Sequence, residues 1–258
     1  IFINIRIFKM RLLIIFFVLT NVNSSIKENI EKLYHSKNNK FSVLIFTKTN
    51  GFVHGEAIKE GIKLITNIGK QNDFNVDHTN VSSFFIEENL KNYQSIIFLN
   101  TTLDVLNNDE EVFFKNFIQT GGGFVGVHSA TDTEYEWEWY GKLVGAYFKN
   151  HPKIQKAKIS TINKSHISTS HLNETWEIEE EWYNYKNINP EITVLLNLDE
   201  SSYKGGENGK NHPITWFHEF EGGKSFYTGL GHKPETYNDE RFIKLLTGGI
   251  LYTLGTKN

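Results

Sequence analysis

Apolar and polar positions fall into two kinds of block along this chain. Short apolar runs occur at 41–47 (FSVLIFT), 96–99 (IIFL) and 124–127 (FVGV), each bounded by polar or glycine-bearing segments. Such runs read as buried strands, and an entirely apolar one suits a parallel sheet covered on both faces. Residues 74–78 supply one more strand. Between the runs the period becomes helical: Ala57, Ile58, Gly61, Ile62, Leu64, Ile65 and Ile68 share one face, and Val112, Phe113, Phe117 and Ile118 share another. Asn107 or Asn108 caps the second helix. Asp109, Glu110 and Glu111 fill its first turn, where carboxylates suit the helix dipole, and three glycines at 121–123 end it. Strand, helix, strand, helix, strand predicts a doubly wound α/β sheet.

The second half is less regular. An aromatic segment at 137–148 predicts a short helix. Strands follow at 156–162, 176–182, 192–196, 214–220 and 225–228, partly antiparallel, and a helix closes the chain at 241–254. The polar, glycine-bearing segment 201–211 predicts an exposed loop.

The N-terminus changes the picture of where the domain begins. Met10, the only methionine, precedes Arg11, an apolar run at 12–19 and a polar exit at 20–25. That is the layout of a secretory signal peptide, and the run is too short to span a bilayer. The expected organisation is residues upstream of Met10 plus a signal peptide at 1–25, a polar spacer at 26–40 and a single domain at 41–256. The mature chain is then exported, periplasmic or extracellular, with no membrane span.

Composition narrows the chemistry. The 258 residues suit one large α/β domain, and the net charge of −3 with no basic tract gives no nucleic-acid footprint. The absence of cysteine removes disulfides, thiolate metal sites and cysteine nucleophiles together. Ten histidines without cysteine leave a His/carboxylate site for a divalent metal open, although no local spacing fixes one. His166 and His171, five apart in a polar stretch, read as surface residues.

Ligands of open α/β sheets sit at the carboxyl ends of the strands. Three such loops are rich in functional groups: 48–54, 100–104 and 128–135. His128 directly follows a buried strand, where a nucleophile elbow holds its reactive residue, and suits a base, a hydrogen-bond donor or a metal ligand. Ser129 lacks the Gly-x-Ser-x-Gly context of a nucleophile and reads as a ligand-binding hydroxyl. Asp132 and Glu134 offer acid/base groups or orient a histidine. His54 follows Gly51 and stands where the next helix starts. It serves either as a cap or as a functional imidazole that the dipole keeps neutral. The candidate catalytic set is His128, Asp132, Glu134 and His54. Candidate substrate-binding residues are Ser129, Tyr135, Trp139, His151, Trp182, Tyr183, His212 and His232. Aromatic faces beside acids and amides suit a sugar, with Trp182 and Tyr183 as the expected stacking wall.

Taken together, GGGFVGVHSATDTEY (121–135), WYGKLVGAYF (139–148), His151-Pro152, FTKTNGFVH (46–54), EWYNY (181–185), HPITW (212–216) and GGKSFYTGLGH (222–232) resemble the trehalose-utilisation (ThuA-like) family. The resemblance implies a flavodoxin-like, class I glutamine-amidotransferase-like fold with additional antiparallel strands in the second half. It also implies a link to trehalose or related disaccharides, including oxidised keto forms. The amidotransferase relatives carry a cysteine at the elbow where this chain has His128, so glutaminase chemistry is excluded. Two readings remain for the small carbohydrate ligand. One is an enzyme (hydrolase, lyase or isomerase) using acid/base or metal-assisted chemistry; the other is a non-catalytic carbohydrate-binding protein. N-terminal sequencing of the exported protein tests the signal peptide: the mature chain is expected to lack residues 12–19, and their retention would contradict it.

Overall fold

The three apolar runs become adjacent strands of one sheet. The computed structural model describes residues 40–256. The chain divides into Ile1–Lys40 and Phe41–Asn258, and the sheet with its helices belongs to the second unit. The expected signal peptide and spacer lie outside the described residues. Five parallel strands, β1 (Ser42–Phe46), β2 (Asn75–Thr79), β3 (Ser95–Leu99), β4 (Gly123–Val127) and β11 (Gly223–Thr228), stand in the order β2-β1-β3-β4-β11. From β11 the sheet continues antiparallel through β10 (Pro213–Phe220), β9 (Thr193–Asp199), β6 (Gln155–Thr161) and β7 (Thr175–Glu180). A separate two-stranded antiparallel sheet pairs β5 (Tyr147–Asn150) with β8 (Asn184–Lys186). The architecture is therefore α/β, with a parallel half followed by an antiparallel half.

Every residue of β3 and β4 is buried, whereas most of β2, at the sheet edge, is exposed or half-exposed. Successive side chains of a strand point to opposite faces, so each face carries its own helices. Phe98 stacks on Phe114 of α3 (Asn108–Gln119), with ring centroids 5.1 Å apart, and also meets Tyr140 of α4 (Glu138–Val144). Leu99 faces the other way, toward Gly61 of α1 (Gly55–Gln71), where an added Cβ would lie 2.9 Å from its side chain. Gly61 thus lets α1 sit directly on the sheet. The closing helix α5 (Glu240–Thr253) packs Gly249 against Phe226 in the same manner.

Local chemistry sets the boundaries. Asn107 makes a full capping box: its side chain accepts from Asp109 and Glu110 N–H, and Glu110 accepts from the Asn107 N–H. The aromatic helix is shorter than its apolar run suggests. α4 stops at Val144 because Gly145 adopts φ +97°, and the chain leaves as strand β5. The one-turn helix α2 (Glu87–Leu90) and the three-residue β8 are too short to leave a periodic signal. His166 is buried, not at the surface, with its ring stacked 4.4 Å from Phe217; His171 is half-buried and donates to the Arg241 carbonyl. The polar stretch around them folds onto α5, where Gly248 meets the Ser168 backbone. Among the described residues, no helix is long and apolar enough to cross a membrane.

Gly145 offers a direct test of the turn between α4 and β5. An alanine there meets both a left-handed φ and the Trp216 indole, which donates to the Val144 carbonyl at 2.8 Å. Gly145→Ala is expected to cost about 2–3 kcal/mol in urea unfolding. Unchanged stability would contradict the close packing of this turn.

Candidate functional site

The carboxyl ends of the parallel strands are knitted into a rigid rim. Asn50 and Leu103 donate backbone N–H groups to the carbonyls of Thr102 (3.0 Å) and Asp132 (2.7 Å), and Glu134 N–H returns to Leu103 (3.1 Å). Thr101 and Thr133 join through their hydroxyls at 2.8 Å. The loops after β1, β3 and β4 are thereby held in register, and two site histidines stand at their bases.

His54 is the N-cap residue of α1 and is buried. His128, fully buried, is the first residue beyond β4 and adopts φ +50°, the left-handed conformation of an elbow turn. Its carbonyl accepts from Tyr227 Oη (2.7 Å), and its Nδ1 donates to the Gly229 carbonyl (3.0 Å). A carbonyl only accepts, so Nδ1 carries a proton, and in the neutral ring Nε2 is a lone pair. That lone pair faces His232 Nδ1 at 3.2 Å and Glu181 Oε2 at 3.4 Å. His232 lies just beyond β11, and its Nδ1 is 3.1 Å from the same Glu181 oxygen. The His54 ring closes the group, 4.9 Å from His128 and 5.1 Å from His232 between centroids. Ser129 Oγ sits 3.5 Å from His54 Nδ1. The exposed His151 lies beside the cluster, with Nδ1 3.1 Å from the other Glu181 oxygen. The Tyr183 ring covers His128 at 4.2 Å.

Glu181 is the residue the pattern of motifs undervalued. It stands out in the sequence only as an acid beside two large rings, yet it contacts three of the histidines. The stronger signal is the run Glu179-Glu180-Glu181, because all three side chains grip one loop. Glu179 pairs with Lys233 (2.6 Å), Glu180 accepts from the Gly231 N–H (3.0 Å) and Glu181 meets His232. By sheet order β7 is four strands from β11, about 19 Å at ~4.8 Å per strand. The grip therefore requires the antiparallel half to curl back over the strand ends.

The remaining candidates go elsewhere. Asp132 accepts from Tyr135 Oη (2.5 Å) and is half-buried near the cluster. Glu134 turns away to accept the N–H groups of Val105 (2.9 Å) and Leu106 (2.8 Å), and its carboxyl groups with Asp104 and Glu111. Trp182 is fully buried and donates to the Gln155 carbonyl, so its ring faces the core. Trp139 stacks on Trp137 and donates to Glu221. His212 is fully buried, held by Glu200 (2.7 Å) and the Tyr183 carbonyl (2.8 Å), and so supports Tyr183 from behind. The structure brings His54, His128, Ser129, His151, Tyr183 and His232 together.

Electrostatics follow from this packing. Burial, then the neighbouring His128 and His232, pulls His54 down to about 3, so it is neutral near pH 7. Burial pushes Glu181 up, but the facing His128 and His232 imidazoles outweigh it and leave the carboxyl well below its usual range. Burial pulls His232 down, and the Glu181 carboxylate reverses this to a net rise. A carboxylate framed by three imidazoles suits proton transfer and hydroxyl recognition. Offering one atom each, His54, His128, His232 and Glu181 bring their ligand atoms within 4.8 Å of one another, as do Asp104, Glu111 and Glu134.

A family model described as ThuA, trehalose utilisation, matches residues 42–253. The chain belongs to this family. The ThuA-like likeness extends to solved structures. A protein from Bacteroides uniformis ATCC 8492 described as ThuA-like superposes with a TM-score of 0.72 at 25% identity, over 83% of this chain and 91% of that one. A ThuA-like counterpart from Parabacteroides merdae ATCC 43184 gives 0.68 at 18% identity, over 85% and 93%. A cytoplasmic protein of Salmonella typhimurium LT2 shares the fold at 12% identity and a TM-score of 0.60, over 83% and 99%. No curated protein matches the chain.

Glu134 yields a prediction about stability. Burial and a hydrogen bond shared with Asp104 raise its carboxyl from 4.5 to about 8, against the opposing pull of the Leu106 and Val105 N–H groups. A raised carboxyl holds its proton longer in the folded state, so its stabilisation is complete below pH 4.5 and is lost as pH climbs through about 8. Across that window the loss approaches about 1.4 kcal/mol per pH unit at most. Glu134→Gln keeps both N–H acceptor contacts and removes the titration. Urea midpoints measured from pH 5 to 8 should therefore fall less steeply in the variant, and an identical slope would contradict the assignment.

Proposed function

We propose that this ThuA-like chain is an exported enzyme acting on a carbohydrate, of the trehalose-like disaccharide or oxidised keto-glycoside kind, at the centre built from His128, Glu181, His232 and His54. One observation carries the reading: three imidazoles and one carboxylate converge at the carboxyl ends of parallel strands, where open α/β sheets bind ligands. The fold reads as flavodoxin-like and class I glutamine-amidotransferase-like. The strand order β2-β1-β3-β4-β11 supports this, with a topological switch between β1 and β3 beside the His54 loop. The elbow position holds His128 and no cysteine, so acyl-thiol chemistry has no nucleophile.

The division of labour follows from the contacts. His128, with Nδ1 committed to Gly229, offers Nε2 as the proton acceptor, and Glu181 and His232 stabilise the charge that transfer creates. His54 stays neutral and takes a hydroxyl or carbonyl oxygen as hydrogen-bond partner. For the sugar's C–H face the rings at hand are Tyr183, Phe148 beside it at 4.3 Å, and the exposed Phe52, 4.7 Å from His54. The family's description supports the substrate class; the apolar run at 12–19 supports export.

The test is turnover of disaccharides and their keto forms. Glu181→Gln and His128→Ala are each expected to lower kcat/KM by about 100-fold or more while the melting temperature stays within a few degrees. Unchanged turnover in both would remove the centre assigned here. Sugar bound with no turnover by the wild type would make the chain a binding protein of the same fold.

A further inference from the structure

The histidine–glutamate centre holds more acceptors than donors. Gly229 fixes a His128 proton on Nδ1, so in the neutral ring Nε2 presents a lone pair. Glu181 Oε2 is an acceptor as well, and both atoms face the single Nδ1 of His232 at 3.2 and 3.1 Å. One N–H on His232 cannot satisfy two acceptors that also face each other at 3.4 Å. The His54 imidazole offers a further ligand atom to the same space.

Distances and ligand types say which cation fits. Four ligands at 2.0–2.1 Å around a tetrahedral ion lie about 3.3 Å apart. The separations here are 3.1, 3.2 and 3.4 Å among His128 Nε2, His232 Nδ1 and Glu181 Oε2. Imidazole nitrogen dominates the set, which favours zinc, cobalt and their first-row neighbours over magnesium or calcium, whose preferred ligands are oxygens. The surroundings are those of a metal-ready imidazole: the His128 Nδ1–H bonded to a backbone carbonyl fixes its tautomer and orientation, and His151 holds the outer oxygen of Glu181.

We infer that His54, His128, His232 and Glu181 bind one divalent first-row transition-metal ion of the zinc or cobalt class. When bound, such an ion would take up the His128 Nε2 lone pair and polarise a substrate oxygen, so direct proton transfer to Nε2 would belong to the metal-free centre. The inference rests on reading this cluster as the reaction centre, but its test uses the metal alone. The full chain is stripped with a chelator and titrated with Zn²⁺, Co²⁺ and Mg²⁺ by calorimetry, with Co²⁺ absorption as a second signal. One saturable site per chain is expected for Zn²⁺ and Co²⁺ and none for Mg²⁺. His128→Gln and Glu181→Gln should each weaken binding by about 100-fold or more, and His171→Asn, outside the cluster, should leave it unchanged. His232→Gln, at a partly exposed position, serves where a buried variant fails to fold, and it too should lose the Co²⁺ band. Absence of saturable binding, or binding that survives the cluster substitutions, would overturn the inference. Metal binding without sugar turnover would leave it standing and remove the carbohydrate reading; turnover by a protein that binds no metal would do the reverse.

Discussion

The Glu181 carboxylate is the constraint on which the rest of the site depends. It is nearly buried, and a buried charge is tolerated only where partners satisfy it. His232 and His151 each turn Nδ1 toward it at 3.1 Å, and His128 Nε2 stands 3.4 Å away, from three separate chain segments. His128 and His232 are themselves fixed from behind or beside: His128 by the Gly229 carbonyl, His232 by the loop that Glu179 and Glu180 clamp. The parallel half of the sheet thus supplies His54, His128 and His232, and the antiparallel half supplies the acid. Neither half holds a complete centre, and the curl that joins them is what the glutamate run secures.

That arrangement accounts for the strain carried at the elbow. His128 adopts a left-handed backbone that a non-glycine residue enters at a cost of about 1–3 kcal/mol. The cost is offset by its position against β11, where Tyr227 binds its carbonyl and Gly229 binds its ring. Glu134, further along the same loop, contributes differently. It pins the Val105 and Leu106 backbone and so keeps the rim of strand-end loops rigid, without reaching the histidines. The loop thus has two structural parts: His128 joins the histidine–glutamate cluster at one end, and Glu134 fixes the neighbouring loop at the other.

The parallel half was legible in the sequence because its signals are local. Runs such as IIFL and FVGV, the Asn107 capping box and the glycine stop at 121–123 each act within a few residues. The histidines at strand ends were legible for the same reason. Glu181 was not, because its importance arises from a contact with His232 across 51 positions that only the curl of the sheet creates. Trp182 and Tyr183 show the limit of composition: adjacent rings alternate in direction, so one fills the core while the other covers His128. His166 shows it again, since a polar neighbourhood conceals a ring stacked beneath Phe217.

On this reading, three histidines from three strand ends form one preorganised centre that receives the ligand. Imidazole nitrogen NMR of the folded chain, recorded with and without a keto-disaccharide, reads this directly. The expected spectrum shows a His128 proton on Nδ1, hydrogen-bonded to the Gly229 carbonyl. Ligand-induced shifts should be confined to His54, His128, His151 and His232, with His166 and His212 unmoved. A His128 protonated only on Nε2, or ligand shifts centred on His166 and His212 instead, would contradict it.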